Sequence, residues 1–220
     1  MLNKSKFKSM RDALQQGIYA VINPFVRLLI KMGVTPNTVT TIGLLGNLGA
    51  AALFAIAGYK ASTEGYFHWY FVTLAGALII GFSLFDMLDG QVARLGGMVS
   101  RFGAMYDSVL DRYCELITLG SISYFMFGAG CQWGALITFI ALIGSIMVSY
   151  VRARAEGLGI ECKMGFMQRP ERVVVTALAT LAAGISECML VLVIAMAVIA
   201  LFANLTAFAR LRHCYKELNK

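Results

Sequence analysis

"FDMLDGQVARLGGMVSRFGAMYDSVLDR", residues 85–112, sets Asp86, Asp89, Asp107 and Asp111 between long apolar runs. Asp86, Asp89, Gly90 and Ala93 fall at i, i+3, i+4 and i+7 and so share one face of a helix. Gly103, Asp107 and Asp111 share another, at steps of four. Two helices thus each offer two carboxylates beside residues with little or no side chain. What such a cluster means depends on the solvent around it, and the rest of the chain decides that.

Of the 220 residues, 59% are hydrophobic and 14% charged, and the mean hydropathy is +0.72. That balance belongs to an integral membrane protein. At about 20 residues per crossing, the chain has room for one bundle of six spans and none for a separate soluble catalytic domain. The expected fold is therefore an all-α membrane protein. Its six transmembrane helices fall near 37–58, 68–93, 103–127, 132–151, 171–186 and 188–209 and form a catalytic domain over 35–212. Residues 1–34 precede it, with an interfacial amphipathic helix near 10–32, where Leu, Ile, Val and Phe mix with Arg11, Asp12, Arg27 and Lys31. Residues 213–220 form a cytoplasmic tail. No cleavable signal peptide is expected, because no apolar run directly follows Lys4, Lys6 and Lys8.

Six spans put both termini on one side, and of the 19 Lys and Arg only Lys60 falls in an opposite-side loop. The positive-inside rule then places the termini and the Asp-rich stretch at the cytoplasmic face of the cell's inner (plasma) membrane. A pI near 9.3 follows from this topology and from anionic lipid headgroups, so no nucleic-acid partner is called for. The five cysteines show no CxxC and no histidine at metal-ligand spacing, which supports neither zinc nor a disulfide framework. His68 and His213 sit at expected span ends.

Each carboxylate near mid-bilayer costs about 2.5–3.5 kcal/mol on insertion scales, so four unpaired ones weigh on the order of 10 kcal/mol against the fold. Something positive must meet them. Arg94, Arg101 and Arg112 are structural candidates. Four oxygen ligands on a rigid frame also suit hard divalent cations, and two Mg²⁺ or Mn²⁺ ions would offset four charges. Gly90, Ala93 and Gly103 either leave space for a bulky anionic substrate or let helices pack closely.

The pattern Asp86-x2-Asp89-Gly90-x2-Ala93-Arg94-x8-Gly103-x3-Asp107-x3-Asp111 resembles the signature of the CDP-alcohol phosphotransferases. "TPNTVT" at 35–40 is similar to that family's lead-in to its first span. The resemblance implies a six-helix membrane fold, a homodimer, and a two-metal site open to the cytoplasm. By that resemblance Asp86, Asp89, Asp107 and Asp111 hold the metals, and Asp111 is also the base that takes the acceptor's proton. Asp89, Gly90, Ala93, Arg94 and Gly103 line the pocket for the CDP moiety. The reaction implied is displacement of CMP from a CDP-linked lipid by an alcohol.

"SYVRARAEGLGIECKMGFMQRPERVVV", residues 149–175, gathers Arg152, Arg154, Lys163, Arg169 and Arg172. These are either positive-inside anchors or an anion site. Pro170 and Glu171 read as the first turn of the fifth span, and cations at a helix N-terminus oppose its dipole unless an anion is held there. The stretch resembles the branch of the family that makes phosphatidylinositol phosphate from CDP-diacylglycerol and inositol 1-phosphate. By that resemblance Arg152, Arg172 and Arg212 bind the acceptor's phosphate. Glycerol 3-phosphate, free inositol or serine as acceptor, and CDP-archaeol as donor, remain alternatives. Outside the family stand a cation transporter, which calls for a conducting path, and a membrane prenyltransferase, which leaves the three arginines unexplained.

Overall fold

The computed structural model describes residues 22–219, whose regular elements are all helices, with no strand among them. A short helix, α1, covers 22–31. It is followed by α2 (Pro36–Glu64), α3 (Trp69–Ser83), α4 (Phe85–Leu95), α5 (Arg101–Gly128), α6 (Gln132–Glu156), α7 (Arg169–Ser186) and α8 (Met189–Leu218). The amphipathic helix expected near 10–32 overlaps α1 only in its second half, and residues 10–21 lie outside the described segment. Among the described residues four stretches are long and apolar enough to cross a membrane: Pro36–Glu64, Trp69–Leu95, Gln132–Glu156 and Met189–Leu218. This is a multi-pass membrane protein.

The helix starts follow local chemistry. Thr35 caps α2, its Oγ1 accepting from Thr38 N–H at 3.3 Å, with Pro36 in the first turn. Ser100 caps α5 in the same way, accepting from Gly103 N–H at 2.9 Å. Pro170 sits in the first turn of α7, as its position after the basic loop suggests.

Four boundaries differ from the sequence expectation. The second span is interrupted at Leu84. Ser83 Oγ donates to Ile80 O at 2.8 Å, the carbonyl that a continuous helix would offer to Leu84 N–H, and Leu84 N–H turns to Phe82 O instead. α6 and α8 run past the expected span ends to Glu156 and Leu218, because Arg, Ala, Glu, Lys and Leu sustain a helix after the apolar run has stopped. The segment 213–218 is thus helical. Lys60 lies inside α2, its Nζ 2.6 Å from Glu64, rather than in a loop.

α2 packs against α5 and α3, α3 against α7, and α6 against α8, while α4 rests on α2. In lipid there is no hydrophobic drive between helices, so close approach must supply the contact. A Cβ on Gly58 or Gly128 would strike the facing α5 or α2 backbone, and one on Gly76 or Gly184 would strike the facing backbone of α7 or α3. Around these contacts Phe54, Ile122, Phe125, Met126, Leu192 and Met196 fill the core. Cys162 and Cys214, far apart in sequence, meet with sulfurs 4.0 Å apart, and burial pushes the Cys162 thiol up.

Candidate active site

α4 and α5 bring their acidic faces together beside the start of α7. Carboxylate oxygens of Asp86, Asp107 and Asp111 lie within 4.8 Å of one another. This is an all-oxygen donor set without thiol or imidazole, which fits a hard divalent cation. Asp89 is held differently. Thr40 Oγ1 donates to its Oδ2 at 2.8 Å and Gly90 N–H donates to its Oδ1, so the carboxylate is fixed, at 6% exposure, beside the other three.

On one side of the acids lies a cavity of about 470 Å³. Asp89, Gly90, Ala93, Arg94, Gly103 and Asp107 line it, with Thr35, Asn37 and Thr40 of the "TPNTVT" segment opposite. The close-packing explanation of the motif glycines does not hold here. A Cβ on Gly90 would meet only the Arg94 guanidinium at 3.5 Å or beyond, and one on Gly103 would meet Ser100 Oγ and Asn37 Oδ1, so neither faces a packed helix backbone. They keep the cavity open.

On the other side a second cavity, of about 360 Å³, is lined by Asp107 and Asp111 together with Arg112, Arg152, Arg169 and Arg210. Glu156, Ser149 and Gln168 add polar groups, and Arg152 Nε is 2.9 Å from Glu156. Asp107 borders both cavities.

The three arginines expected at the acceptor's phosphate are separated. Arg152 lines the second cavity. Arg172 lies behind it, 2% exposed, with Nε and Nη2 donating to Glu115 at 2.6 and 2.9 Å and Nη1 donating to Met167 O. A buried bidentate pair of this kind is costly to break from either end. Arg212 is exposed and lines neither cavity. Two residues along a helix turn the side chain by about 200°, and it is Arg210 that faces the cavity, anchored on Met164 O and Val148 O at 2.7 and 2.6 Å.

Of the arginines considered as partners for the acids, Arg112 turns back onto its own helix, bonding Ser108 O and Oγ at 2.6 and 2.7 Å. Among the described residues Arg169 meets two of the acids, its guanidinium bridging Asp86 Oδ2 and Asp111 Oδ1 at 2.6 Å each. Sequence reasoning missed Thr40, Glu115 and Arg210, and it placed Arg169 in the basic loop, as an anchor or part of an anion site, without pairing it with the aspartates. Glu115 continues the steps of four from Asp107 and Asp111, and Thr40 stands in the lead-in segment, so both carried a signal. Nothing in the order of residues ties Arg169 to Asp86, 83 positions away, or to Asp111.

Residues 33–211 match the family model described as CDP-alcohol phosphatidyltransferase. A phosphatidylinositol phosphate synthase of Mycobacteroides abscessus is 33% identical over 177 residues, 80% of this chain and 75% of that protein. One from Cutibacterium acnes is 31% identical over 211 residues, 92% of this chain and 96% of its own length. The crystal structure of Mycobacterium tuberculosis phosphatidylinositol phosphate synthase with CDP-DAG bound superposes with a TM-score of 0.78 at 28% identity, covering 89% of this chain and 94% of that one. The same enzyme in complex with manganese and citrate gives 0.77, also at 28% identity, over 87% of this chain and 88% of that one. Signature, acidic cluster, fold and sequence likeness agree, and the chain belongs to the CDP-alcohol phosphatidyltransferase family.

Proposed function

We propose that this enzyme moves the phosphatidyl group of CDP-diacylglycerol to inositol 1-phosphate, releasing CMP and forming phosphatidylinositol phosphate. The observation that carries the proposal is the meeting of two unlike cavities on one acidic cluster. The first, floored by Gly90, Ala93 and Gly103, has room for the CDP moiety, with Arg94 beside it. The second is rich in arginine and suits a phosphate monoester. Asp107 stands at their junction. The relatives' name gives the same product, and one solved relative holds CDP-DAG.

Asp86, Asp89, Asp107 and Asp111 would hold two Mg²⁺ or Mn²⁺ ions, which supply charge stabilisation on the phosphoryl oxygens and on the departing CMP. The chain's own residues do the rest. Asp111, bordering the acceptor cavity, takes the proton of the acceptor hydroxyl as its oxygen bonds to phosphorus, and the bond from phosphorus to the CMP oxygen breaks. Thr40 keeps Asp89 in place. Arg152 and Arg210 hold the acceptor's phosphate, with Arg172 supporting the wall behind them through Glu115 and Arg212 outside it. The enzyme works as a homodimer of six-span subunits in the inner membrane, with α5 and α7 completing the spans. Its site faces the cytoplasm, where Arg94, Arg101, Arg152, Arg154 and Lys163 cluster.

Purified protein in detergent, given CDP-diacylglycerol and Mg²⁺, is offered inositol 1-phosphate, glycerol 3-phosphate, inositol or serine separately, and the lipid product is identified. Phosphatidylinositol phosphate is expected from the first alone. Arg152→Ala and Arg210→Ala should each raise the apparent KM for that acceptor on the order of 10- to 100-fold, with little change for the CDP-lipid. Product from glycerol 3-phosphate or an uncharged acceptor, with none from inositol 1-phosphate, overturns the acceptor assignment.

A further inference from the structure

The Arg169 guanidinium spans the two acidic helices, with Nη1 2.6 Å from Asp86 Oδ2 on α4 and Nη2 2.6 Å from Asp111 Oδ1 on α5. Asp86 and Asp111 both belong to the acidic cluster that suits a divalent ion. A guanidinium held at 2.6 Å and a divalent cation compete for this pair of carboxylates, because both are cations and both need contact distance. Arg169 also lines the acceptor cavity with Arg152 and Arg210, and its side chain is only 19% exposed. Its Nε is buried without a hydrogen-bond partner among the described residues, so the pose that satisfies the carboxylates leaves one donor unmet.

We propose that Arg169 is a positioning residue that alternates between the Asp86–Asp111 pair and the acceptor's phosphate, so that metal binding and acceptor binding strengthen each other through its movement. On the carboxylates it relieves the repulsion between two acids carried by different helices. When metal takes those oxygens, the guanidinium must find another anion. The cavity it already borders contains three further arginines and one acid outside the cluster, Glu156, which Arg152 engages. Arg169 is stable there only when a phosphate is present. Metal favours the turned-out position and phosphate rewards it, and linkage makes the coupling reciprocal.

The inference rests on the carboxylate cluster being the metal site, and the test keeps the two separable. Mn²⁺ binding to the purified protein is followed by the electron paramagnetic resonance of free Mn²⁺. The titration omits CDP-lipid so that no turnover occurs, and is run with and without an alkyl phosphate monoester, inositol 1-phosphate or glycerol 3-phosphate. In the wild type the monoester should tighten Mn²⁺ binding. Arg169→Gln should bind Mn²⁺ alone more tightly, on the order of tenfold, since the competing cation is gone, and the monoester should no longer change that affinity. Arg169→Lys, which keeps the charge and loses the fork, should fall between the two and guards against a Gln variant that does not fold. Equal or weaker Mn²⁺ binding by Arg169→Gln, or full coupling to the monoester without Arg169, overturns the proposal. Failure of the wild type to bind Mn²⁺ overturns it together with the metal-site assignment.

Discussion

Asp89 shows how one side chain can prepare another. Its carboxylate is buried and takes one hydrogen bond from Thr40 Oγ1 and one from the following backbone N–H. Thr40→Val keeps the shape and removes the side-chain donor, so Asp89 loses its fixed orientation toward the cluster. A hydrogen bond to a charged group contributes about 1.5–3 kcal/mol, and kcat/KM for the CDP-lipid should fall roughly 10- to 100-fold, with Thr40→Ser restoring most of it. Steady-state kinetics on the two variants check this, and an unaffected Thr40→Val removes Thr40 from the site. At this scale legibility was uneven. The aspartates announced themselves because carboxylates inside apolar runs at helical spacing have no ordinary explanation. The groups that complete them did not, because Thr40 and Arg169 reach Asp89 and Asp86 from 49 and 83 positions away.

Among the elements, α4, α5 and α7 carry the site and the close glycine contacts hold α7 to α3. A Cβ on Gly184 would come within 2.7 Å of Thr73 Cα, a backbone atom that cannot swing aside. Gly184→Val should therefore separate α7 from α3 and lower stability by about 1–3 kcal/mol, read as a fall in melting temperature in detergent. Activity should fall with it, because Arg169 and Arg172 ride on α7. Gly81, with nothing within 4 Å of its would-be Cβ, is the control, and Gly81→Ala should melt like the wild type. The helices themselves were legible from apolar run length, and the start of α7 from Pro170. Their limits were less so. Hydropathy ends where lipid ends, whereas α6 and α8 continue beyond it on good helix formers, and the interruption at Leu84 depends on a Ser83 hydroxyl that hydropathy does not weigh.

For the molecule as a whole, the charge asymmetry along the bundle matches the placement of its chemistry. Lys60 and His68 each contact Glu64 at 2.6 Å at one end of the bundle, while the arginine-rich segments and the acidic cluster occupy the other. This asymmetry was readable from the positions of Lys and Arg alone. Which arginines face the cavity was not, since Arg210 and Arg212 differ only in helical phase. In the proposed mechanism the acceptor hydroxyl displaces CMP at a metal-assisted carboxylate cluster, with Asp111 as base. CMP release from CDP-diacylglycerol and inositol 1-phosphate, measured for the wild type and Asp111→Asn in Mg²⁺ and in EDTA, tests it most directly. The wild type should release CMP in Mg²⁺ and stop in EDTA, and Asp111→Asn, melting like the wild type, should be slower by about 10²- to 10⁴-fold. Near wild-type turnover by Asp111→Asn, or full activity in chelator, would contradict the account.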